Sequence, residues 1–483
     1  MERSDDMNNA MMAFGWAGIM MLIGVICRAK IGFFGNILMP ASVIGGIIGF
    51  ILMNTGVLDV DPNLFSQIVG VLFTISFISI GLTSSPKEDK SKGSSTAKDI
   101  YKGSMGMGLV WNGLYGLTPL LAALVMVVLF NKFLPIYGIV VPFAFCQGPG
   151  QSAVFGATIE GYGIPDVAQV AITYAALGFL IAFSVGVPLA KYGMKKGLAL
   201  YPTDINDSVK RGLFKANEQT QSVGKSTTYN GNIDTLAFHF ALVALCYVMA
   251  VYMGKLELLL IPGLLGETLS TFTFINGMLA GYIVKFVMKK FKAEEYHDST
   301  LQARITGWST DLLICMAFMA IQVSIVAQYF VPIITVAIIT AIVTAAVILY
   351  FVPRIGGPCD FERVLGLFGC ATGTVPSGLA LIRIVDPDLK TTAPTELGAM
   401  NLIMMAHVIV VTAILGYSSG VTSFTSLLIT MAVFSLVNFA LLKVFRVWGK
   451  KSFDLRTGVV YDRLAENKKS RLKTAGKAAE TNA

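Results

Sequence analysis

Two glycine-rich interruptions, FCQGPGQS at residues 145–152 and GCATGTVPS at residues 369–377, break the apolar pattern of this chain at equivalent places in its two halves. Each lies in a hydrophobic stretch that is too long and too broken to be one helix. Gly-Pro-Gly ends a helix, because proline removes a backbone donor and clashes with the preceding turn. Broken apolar segments at matching positions of two halves are typical of a binding site to which both halves contribute.

The composition predicts a polytopic α-helical membrane protein. Of the 483 residues 54% are hydrophobic and 14% are charged, against roughly 25% charged residues in a soluble globular protein. Many apolar runs approach the ~20 residues that span a bilayer. The net charge of +8 lies in short loops and a tail, so it indicates membrane topology and not a nucleic-acid partner.

Hydropathy predicts eleven transmembrane spans and two re-entrant hairpins. The hairpins cover residues 134–160 and 361–385 and contain the two interruptions. Non-helical backbone at membrane depth survives only where it is buried in protein or lines a wet cavity. The predicted spans are residues 10–27, 36–54, 66–84, 104–130, 166–190, 235–253, 269–288, 308–330, 332–352, 393–417 and 421–446.

Loop charge supports this assignment and orients the chain. With the N-terminus outside and the C-terminus cytoplasmic, the inside segments hold 32 Lys and Arg residues, and the outside segments hold 3. That asymmetry follows the positive-inside rule. Counting either hairpin as a full span would invert every later loop, so the first hairpin is expected to enter from outside and the second from inside.

Five spans and a hairpin in each half predict two repeats of inverted topology, since an odd number of spans inverts the second unit. Gly45-x-x-x-Gly49 and Gly277-x-x-x-Gly281 occupy matching spans, where small residues let helices approach closely. The predicted units are a first repeat at 1–192, a cytoplasmic linker at 193–233, a second repeat at 234–417, an extra span at 418–446 and a basic, disordered cytoplasmic tail at 447–483.

The hairpin tips are the predicted site. A half-helix that begins at such a tip points unpaired N–H groups at a ligand, and its positive dipole end favours an anion. Unwound carbonyls and hydroxyls can ligate a small cation, although small residues at these places could also serve only helix packing. Candidate substrate-binding residues are Gly148, Gly150, Gln151, Ser152, Thr372, Gly373, Thr374, Ser377, Arg383 and Asn401, and candidate cation ligands are Thr158, Asp311, Thr374 and Ser377.

Placing a charged side chain at the centre of the bilayer costs roughly 2.5–3.5 kcal/mol, so such a residue usually has a function or a partner. Each charged residue near membrane depth therefore has a functional and a structural interpretation. Arg383 could fork onto a substrate carboxylate, or it could lie with Glu160 near the water interface at a hairpin end. Asp311 and Glu396, near predicted span starts, could bind a cation or cap a helix. Asn401, a turn further in, is a candidate buried hydrogen-bonding group.

The sequence predicts no catalytic centre and no cofactor. His239, His297 and His407 lie far apart in the sequence without metal-ligand spacing. No nucleophile and base stand in a spacing that indicates catalysis.

The chain resembles the bacterial sodium/glutamate symporters. Residues 186–192 (GVPLAKY) look like the GGPxARY element of that family. The first hairpin is similar in position to its GGHGTG loop, and TGTVPS at 372–377 is similar to its GxxxTPT loop. Three departures are the first loop without histidine, Arg383 in place of an uncharged residue, and an eleventh span.

This resemblance implies a homodimer in the bacterial inner membrane, with re-entrant loops that meet near the bilayer middle. It further implies an elevator-like movement of a core, formed by spans 3–5 and 8–10 with the hairpins, against a scaffold. The expected function is Na⁺-coupled uptake of glutamate or a related small carboxylate, with Na⁺ as coupling ion. A carrier or exchanger of di- or tricarboxylates is the main alternative, and a channel is a remote one.

Overall fold

The computed structural model describes residues 2–83, 94–201, 207–215, 218, 222–387 and 389–461, and for residues 2–7 and 94–96 it describes only the backbone. Helix accounts for 77% of the described residues. Within the described ranges a single β-bridge joins Phe453 to Val460 and extends into no strand. The predicted all-α class is therefore confirmed.

The first half consists of five long helices, several short ones and a broken element. Asp61 caps α4, because its side chain accepts a hydrogen bond from the Asn63 N–H and Pro62 occupies the first turn. The helices are α1 (Glu2–Lys30), α2 (Gly32–Asn36), α3 (Ala41–Asn54), α4 (Pro62–Leu82), α5 (Ser94–Leu129), α6 (Ile136–Ile139), α7 (Val141–Phe145), α8 (Pro149–Gly161), α9 (Val167–Lys195) and α10 (Asp207–Arg211).

The second half has a similar succession of helices and adds one at its end. Asp234 caps α11 and Asp298 caps α14 through side-chain oxygens. The helices are α11 (Thr235–Leu260), α12 (Leu264–Thr271), α13 (Thr273–Lys290), α14 (Ser299–Met319), α15 (Val323–Val326), α16 (Phe330–Phe351), α17 (Asp360–Ala371), α18 (Val375–Val385), α19 (Ala393–Ala399), α20 (Asn401–Met404), α21 (Val408–Ser418) and α22 (Phe424–Val444).

Eight helical segments of the described chain are long and apolar enough to cross a membrane. The pair α12 and α13, bent by 68° at Phe272, forms a ninth such segment if it is counted as one span. The eight are Asn8–Lys30, Pro62–Leu82, Ala97–Leu129, Val167–Lys195, Thr235–Leu260, Val323–Arg354, Ala393–Ser418 and Phe424–Val444.

The prediction for the eighth span was wrong in position. Instead of residues 308–330, the helix is α14, from Ser299 to Met319. Polar groups in its first and middle turns face α4: the Gln302 amide donates to Ser79 Oγ at 2.8 Å, and Thr310 Oγ1 lies 3.3 Å from Ser76 Oγ. A hydropathy window counts these polar residues against a span, so it places the span too far toward the apolar C-terminal end of the helix. Asp311 therefore lies inside a helix, and its interpretation as an N-cap was wrong.

At both predicted hairpins the chain forms a helix, a break and a second helix. The breaks fall at residues 146–148 and 372–374. In the second hairpin the arms α17 and α18 contain 12 and 11 residues, so each is about 16–18 Å long. Neither arm can cross a hydrocarbon layer of ~30 Å alone.

The long helices pack into two groups. The first, here the six-helix bundle, comprises α1, α3, α4, α11, α13 and α14, with α4 packed on α13 and α14. The second, here the hairpin bundle, comprises α5 to α9 and α16 to α22. The resemblance implied a core that includes spans 3 and 8. In the structure these spans, α4 and α14, pack mainly within the six-helix bundle, where hydroxyl and amide groups of the two helices pair with each other.

The four glycines of the two GxxxG motifs allow close helix contacts, as predicted. A Cβ added at Gly45 would lie 2.2 Å from the Met20 carbonyl oxygen of α1, and one at Gly49 would lie 2.6 Å from Met319 Cγ of α14. Added Cβ atoms at Gly277 and Gly281 would lie within 3 Å of Ile78 in α4. These helices can approach as they do only because the side chains are missing.

The first part of the predicted tail is ordered, which corrects the expectation of disorder there. Residues 447–461 return to the hairpin bundle: the Ser452 N–H donates to the Pro353 carbonyl at 2.7 Å. The Phe453 ring meets the Phe361 ring of α17 edge to face, with centroids 5.8 Å apart. Residues 462–483, and residues 202–206, 216–217 and 219–221 of the predicted linker, lie outside the described ranges.

Candidate functional site

The two interruptions meet in space. Gly148, at the first tip, has φ +80°, a conformation that glycine adopts without strain. A Cβ added there would lie 2.5 Å from Thr374 Cγ2 and 3.3 Å from the Gly373 carbonyl oxygen of the second tip. Residues 226 positions apart in the sequence are thus in contact.

Both tips begin a helix whose first turn has no side-chain cap. The N-cap residues, Gly148 of α8 and Thr374 of α18, make no capping hydrogen bond with a side chain. Pro149 and Pro376 lie in the respective first turns, where proline lacks a backbone donor and fits the helical φ. The remaining first-turn N–H groups and the positive dipole ends create a local preference for an anion.

The first tip is held by side chains from distant parts of the chain. Tyr115 of α5 donates its hydroxyl to Gln147 Oε1 at 3.0 Å, and Gln147 Nε2 lies 2.7 Å from His407 Nε2. Ser152 donates its hydroxyl to the Gly148 carbonyl at 3.1 Å, within its own helix. Gln151 is 1% exposed, and its Oε1 has no hydrogen-bond partner.

The second tip has freer hydroxyl groups. Thr372 is buried and donates its hydroxyl to the Phe368 carbonyl at 2.7 Å, so that group is already engaged. Thr374, which is partly exposed, and Ser377 pair only weakly, with their hydroxyl oxygens 3.4 Å apart. A Cβ added at Gly178 of α9 would lie 2.4 Å from the Thr372 carbonyl oxygen, so α9 packs directly behind this tip.

The structure thus brings together eight of the predicted substrate residues, which lie on the two touching tips. Gly150 has a second role in packing, since a Cβ added there would lie 2.1 Å from Phe73 Cγ of the six-helix bundle. The eight are Gly148, Gly150, Gln151, Ser152, Thr372, Gly373, Thr374 and Ser377.

Arg383 and Asn401 do not join this group. Arg383 is exposed and lies in the last turn of α18, eight residues and therefore about 12 Å along the helix from its start. Asn401 donates its side-chain amide to the Gly398 carbonyl at 2.8 Å, next to its own helix. Neither side chain is positioned at the tips.

Two of the predicted cation ligands also lie elsewhere. Asp311 accepts a hydrogen bond from the Ser42 hydroxyl at 3.0 Å inside the six-helix bundle and is attracted by Arg28. Thr158 donates its hydroxyl to the Val154 carbonyl at 2.9 Å along α8. The other two, Thr374 and Ser377, are at the second tip. Within the described chain no three His, Cys, Asp or Glu side chains form a metal-binding group.

The other two acidic candidates, Glu160 and Glu396, each stabilise a different part of the structure. Glu160 Oε1 accepts a hydrogen bond from the Ala168 N–H at 2.9 Å and so caps the start of α9. Glu396 is fully buried and binds Arg363 through both oxygens, at 2.6 and 2.7 Å. The expectation that Glu396 caps its own helix or binds a cation gives way to an ion pair.

Arg363 clamps the base of the second hairpin, which the sequence did not reveal. It is fully buried, donates to Asp360 Oδ1 at 2.6 Å and reaches the Asp99 carbonyl of α5 at 3.2 Å. The loop-charge count included this arginine among the 32 inside residues, although position 363 lies at the start of the predicted hairpin. Its spacing of three residues from Asp360, at the start of an apolar helix, was the available signal.

A cavity of about 690 Å³ lies between the two bundles, beside α8. Its walls are the start of α4, one face of α8 and the start of α9. Polar groups on the wall include Gln67, Glu160, Asp166, Gln169 and Gln322. The cavity lining includes the carboxylates of Glu160 and Asp166 and no lysine or arginine.

The comparison with known families agrees with this architecture. The sodium/glutamate symporter family model matches residues 7–386, well over half of the chain. The match includes both hairpins and ends before α19 to α22 and the tail. No curated protein matches the chain. The family consists of transporters and not of enzymes, and the chain belongs to the sodium/glutamate symporter family.

Proposed function

We propose that this protein is a secondary transporter that couples Na⁺ influx to the uptake of glutamate or a related small carboxylate. One observation carries the proposal beyond family membership: two helix starts without side-chain caps, α8 and α18, meet tip to tip. Paired positive dipole ends suit a substrate with two carboxylates. The hydroxyls of Thr374 and Ser377, with unwound carbonyls, would ligate the ion.

The direct test is uptake by protein reconstituted into proteoliposomes. Labelled glutamate should accumulate when Na⁺ is outside, and should not accumulate with K⁺ in its place. Competition by glutarate and by citrate separates an amino-acid carrier from a carrier of di- or tricarboxylates. If no carboxylate moves with a Na⁺ gradient, the proposal is wrong.

We propose that the two halves are inverted repeats. In the six-helix bundle, α3 packs on α1 and α14, and α13 packs on α11 and α4. In each predicted repeat the second span therefore packs on the first span of its own repeat and on the third span of the other repeat. The expected orientation, N-terminus outside and C-terminus cytoplasmic in a bacterial inner membrane, follows from the loop charges and is tested by labelling single cysteines placed in the loops of intact cells.

We further propose that transport moves the hairpin bundle against the six-helix bundle. Gly70 of α4 and Val154 of α8 face each other across this boundary, since a Cβ at Gly70 would lie 3.6 Å from Val154 Cγ2. Cysteine side chains at these two positions would therefore lie side by side, where an oxidant can join them. Gly70→Cys with Val154→Cys should block uptake when oxidised and recover with reductant. Gly70→Cys alone and Val154→Cys alone should leave uptake intact after oxidation.

The homodimer remains a proposal as well. It predicts that purified protein in lipid nanodiscs has twice the chain mass of 51.8 kDa by mass photometry after the scaffold and lipid are subtracted. A single chain per disc at every loading ratio would contradict it.

A further inference from the structure

Gln147 is the residue before the Gly148 turn. Both the oxygen and the nitrogen of its side-chain amide are hydrogen-bonded to side chains that are remote in the sequence. Its Oε1 accepts from the Tyr115 hydroxyl at 3.0 Å, and its Nε2 lies 2.7 Å from His407 Nε2. His407 lies in a 3-10 turn between α20 and α21, and its Nδ1 is 2.6 Å from the Met404 carbonyl oxygen. These contacts form one continuous hydrogen-bonded chain.

The donor and acceptor roles along these hydrogen bonds are fixed at one end by the Met404 backbone carbonyl. A carbonyl can only accept, so His407 Nδ1 carries the proton that faces Met404, and in the neutral ring Nε2 is then an acceptor. Gln147 must present its NH₂ group to Nε2 and its oxygen to Tyr115, whose hydroxyl donates. Each donor in the chain therefore meets an acceptor.

His407 lies in apolar surroundings, so the loss of one of its hydrogen bonds is costly. His407 is 3% exposed. Its ring meets those of Trp111, Tyr115 and Phe272 edge to face, at centroid distances of 5.6, 5.0 and 6.4 Å. In such apolar surroundings an unpaired polar group is costly, so removing one partner disturbs the others. The neighbouring Phe272 belongs to the bend between α12 and α13.

We infer that the Tyr115–Gln147–His407 chain positions the first tip for substrate, with Gln147 and His407 as positioning residues. The inference rests on the proposed function, because it concerns the same site. By holding Gln147, the chain sets the direction in which the Gly148 turn and the start of α8 face Thr374. The substrate would meet these backbone donors, and it would not touch His407.

The test is the kinetics of uptake by His407→Ala, Gln147→Ala and the double variant. Losing one neutral hydrogen bond should raise KM about three- to tenfold, with a nearly unchanged maximal rate per folded carrier. The double variant should match the single variants, because both break the same chain. His407→Gln, which keeps an acceptor for Gln147, should restore most of the affinity and serves if His407→Ala does not fold.

His239 provides a matched control. It is also buried, with Nδ1 2.7 Å from the Thr235 carbonyl and Nε2 accepting from the Asp298 N–H at 2.9 Å, but it lies in the six-helix bundle. His239→Ala should lower thermal stability and leave KM unchanged. A KM that rises equally in His239→Ala and His407→Ala, or fully additive effects in the double variant, would overturn the inference.

Hydrogen exchange separates this inference from the proposed function. In Gln147→Ala and His407→Ala the amides of residues 144–152 should exchange faster than in the parent protein, whereas His239→Ala should not change them. This result is obtained even if the parent protein moves no carboxylate, in which case only the proposed function fails. Unchanged exchange in both tip variants would refute the positioning role.

Discussion

The two hairpins have the same backbone plan and are held at opposite ends. The first is fixed at its tip, where Tyr115 and His407 bind Gln147. The second is fixed at its base, where Arg363 binds Asp360 and Glu396. The two tips therefore differ in their partners: the first has its Gln147 amide engaged by two remote side chains, and the second presents weakly paired hydroxyls.

This difference suggests a division of labour between the tips. A tip that is held from outside can offer fixed N–H groups to an anion without reorganising. The second tip, where the Thr374 and Ser377 hydroxyls pair only weakly, keeps these two groups available for new hydrogen bonds. Four substitutions test the comparison.

The largest effect is expected from Arg363→Met. It leaves Asp360 and Glu396 buried without their cation, and breaking a buried pair in this way costs about 3–5 kcal/mol. The measurement is the thermal unfolding midpoint of protein in detergent. Adding Glu396→Gln should recover part of the loss, since one stranded charge is removed. Arg354→Met is the control, because it removes an arginine that stacks on the ring of Tyr350 and leaves the Asp360 and Glu396 pair with Arg363 intact. Equal destabilisation by both variants would contradict the clamp.

Gly148→Ala should have the next largest effect. A side chain at φ +80° and ψ −171°, a region that is nearly restricted to glycine, costs about 1–3 kcal/mol, and its Cβ would also collide with Thr374 Cγ2. Uptake should fall at least about tenfold. Thr374→Ser, which removes the colliding methyl group and keeps the hydroxyl, should partly rescue it. Gly161→Ala, with open space at the end of α8, should transport normally, and a normal rate in Gly148→Ala would refute contact between the tips.

Thr374→Val should raise the KM for Na⁺ and for the carboxylate about three- to tenfold, because it removes a weakly paired hydroxyl from the second tip. The matched control is Thr372→Val in the same tip, whose hydroxyl is engaged by the Phe368 carbonyl. Initial rates of uptake measured over a range of both solutes give the two constants. Equal shifts in both variants would indicate a general loosening of the hairpin.

Arg383→Gln should have the smallest effect, a change in KM of less than about twofold, as is usual for an exposed residue. The same uptake assay with glutamate measures it, with Thr374→Val as the positive comparison. A large rise in KM with normal expression would restore the carboxylate-anchoring role that the sequence suggested and would place the substrate further along α18.

The sequence predicted the parts of the site that depend on local backbone chemistry. Gly148 and Pro149 end one helix and start another wherever they occur, so the first break could be located from neighbouring residues alone. The second break, before Pro376, was found in the same way. The helical class followed from composition, because long apolar runs have few other structures in a bilayer.

The parts that the sequence did not predict depend on contacts between remote residues. Gln147 and His407 are 260 positions apart, and neither has a neighbour that reveals the pairing. Arg363 was counted as a loop charge because its partner Glu396 follows 33 residues later. Span 8 was misplaced since the polar residues of α14 are satisfied by α4, which a hydropathy window does not detect.

The contact between Gly150 and Phe73 has a mechanical consequence. Where α8 meets α4, the hairpin side has no side chain at Gly150, and its neighbours Ala153 and Ala157 on the cavity wall are small. Interlocked side chains would have to leave their holes before one helix could shift along another. At this boundary α8 presents mainly small residues to α4, so few interlocked side chains have to separate before the two bundles slide past each other.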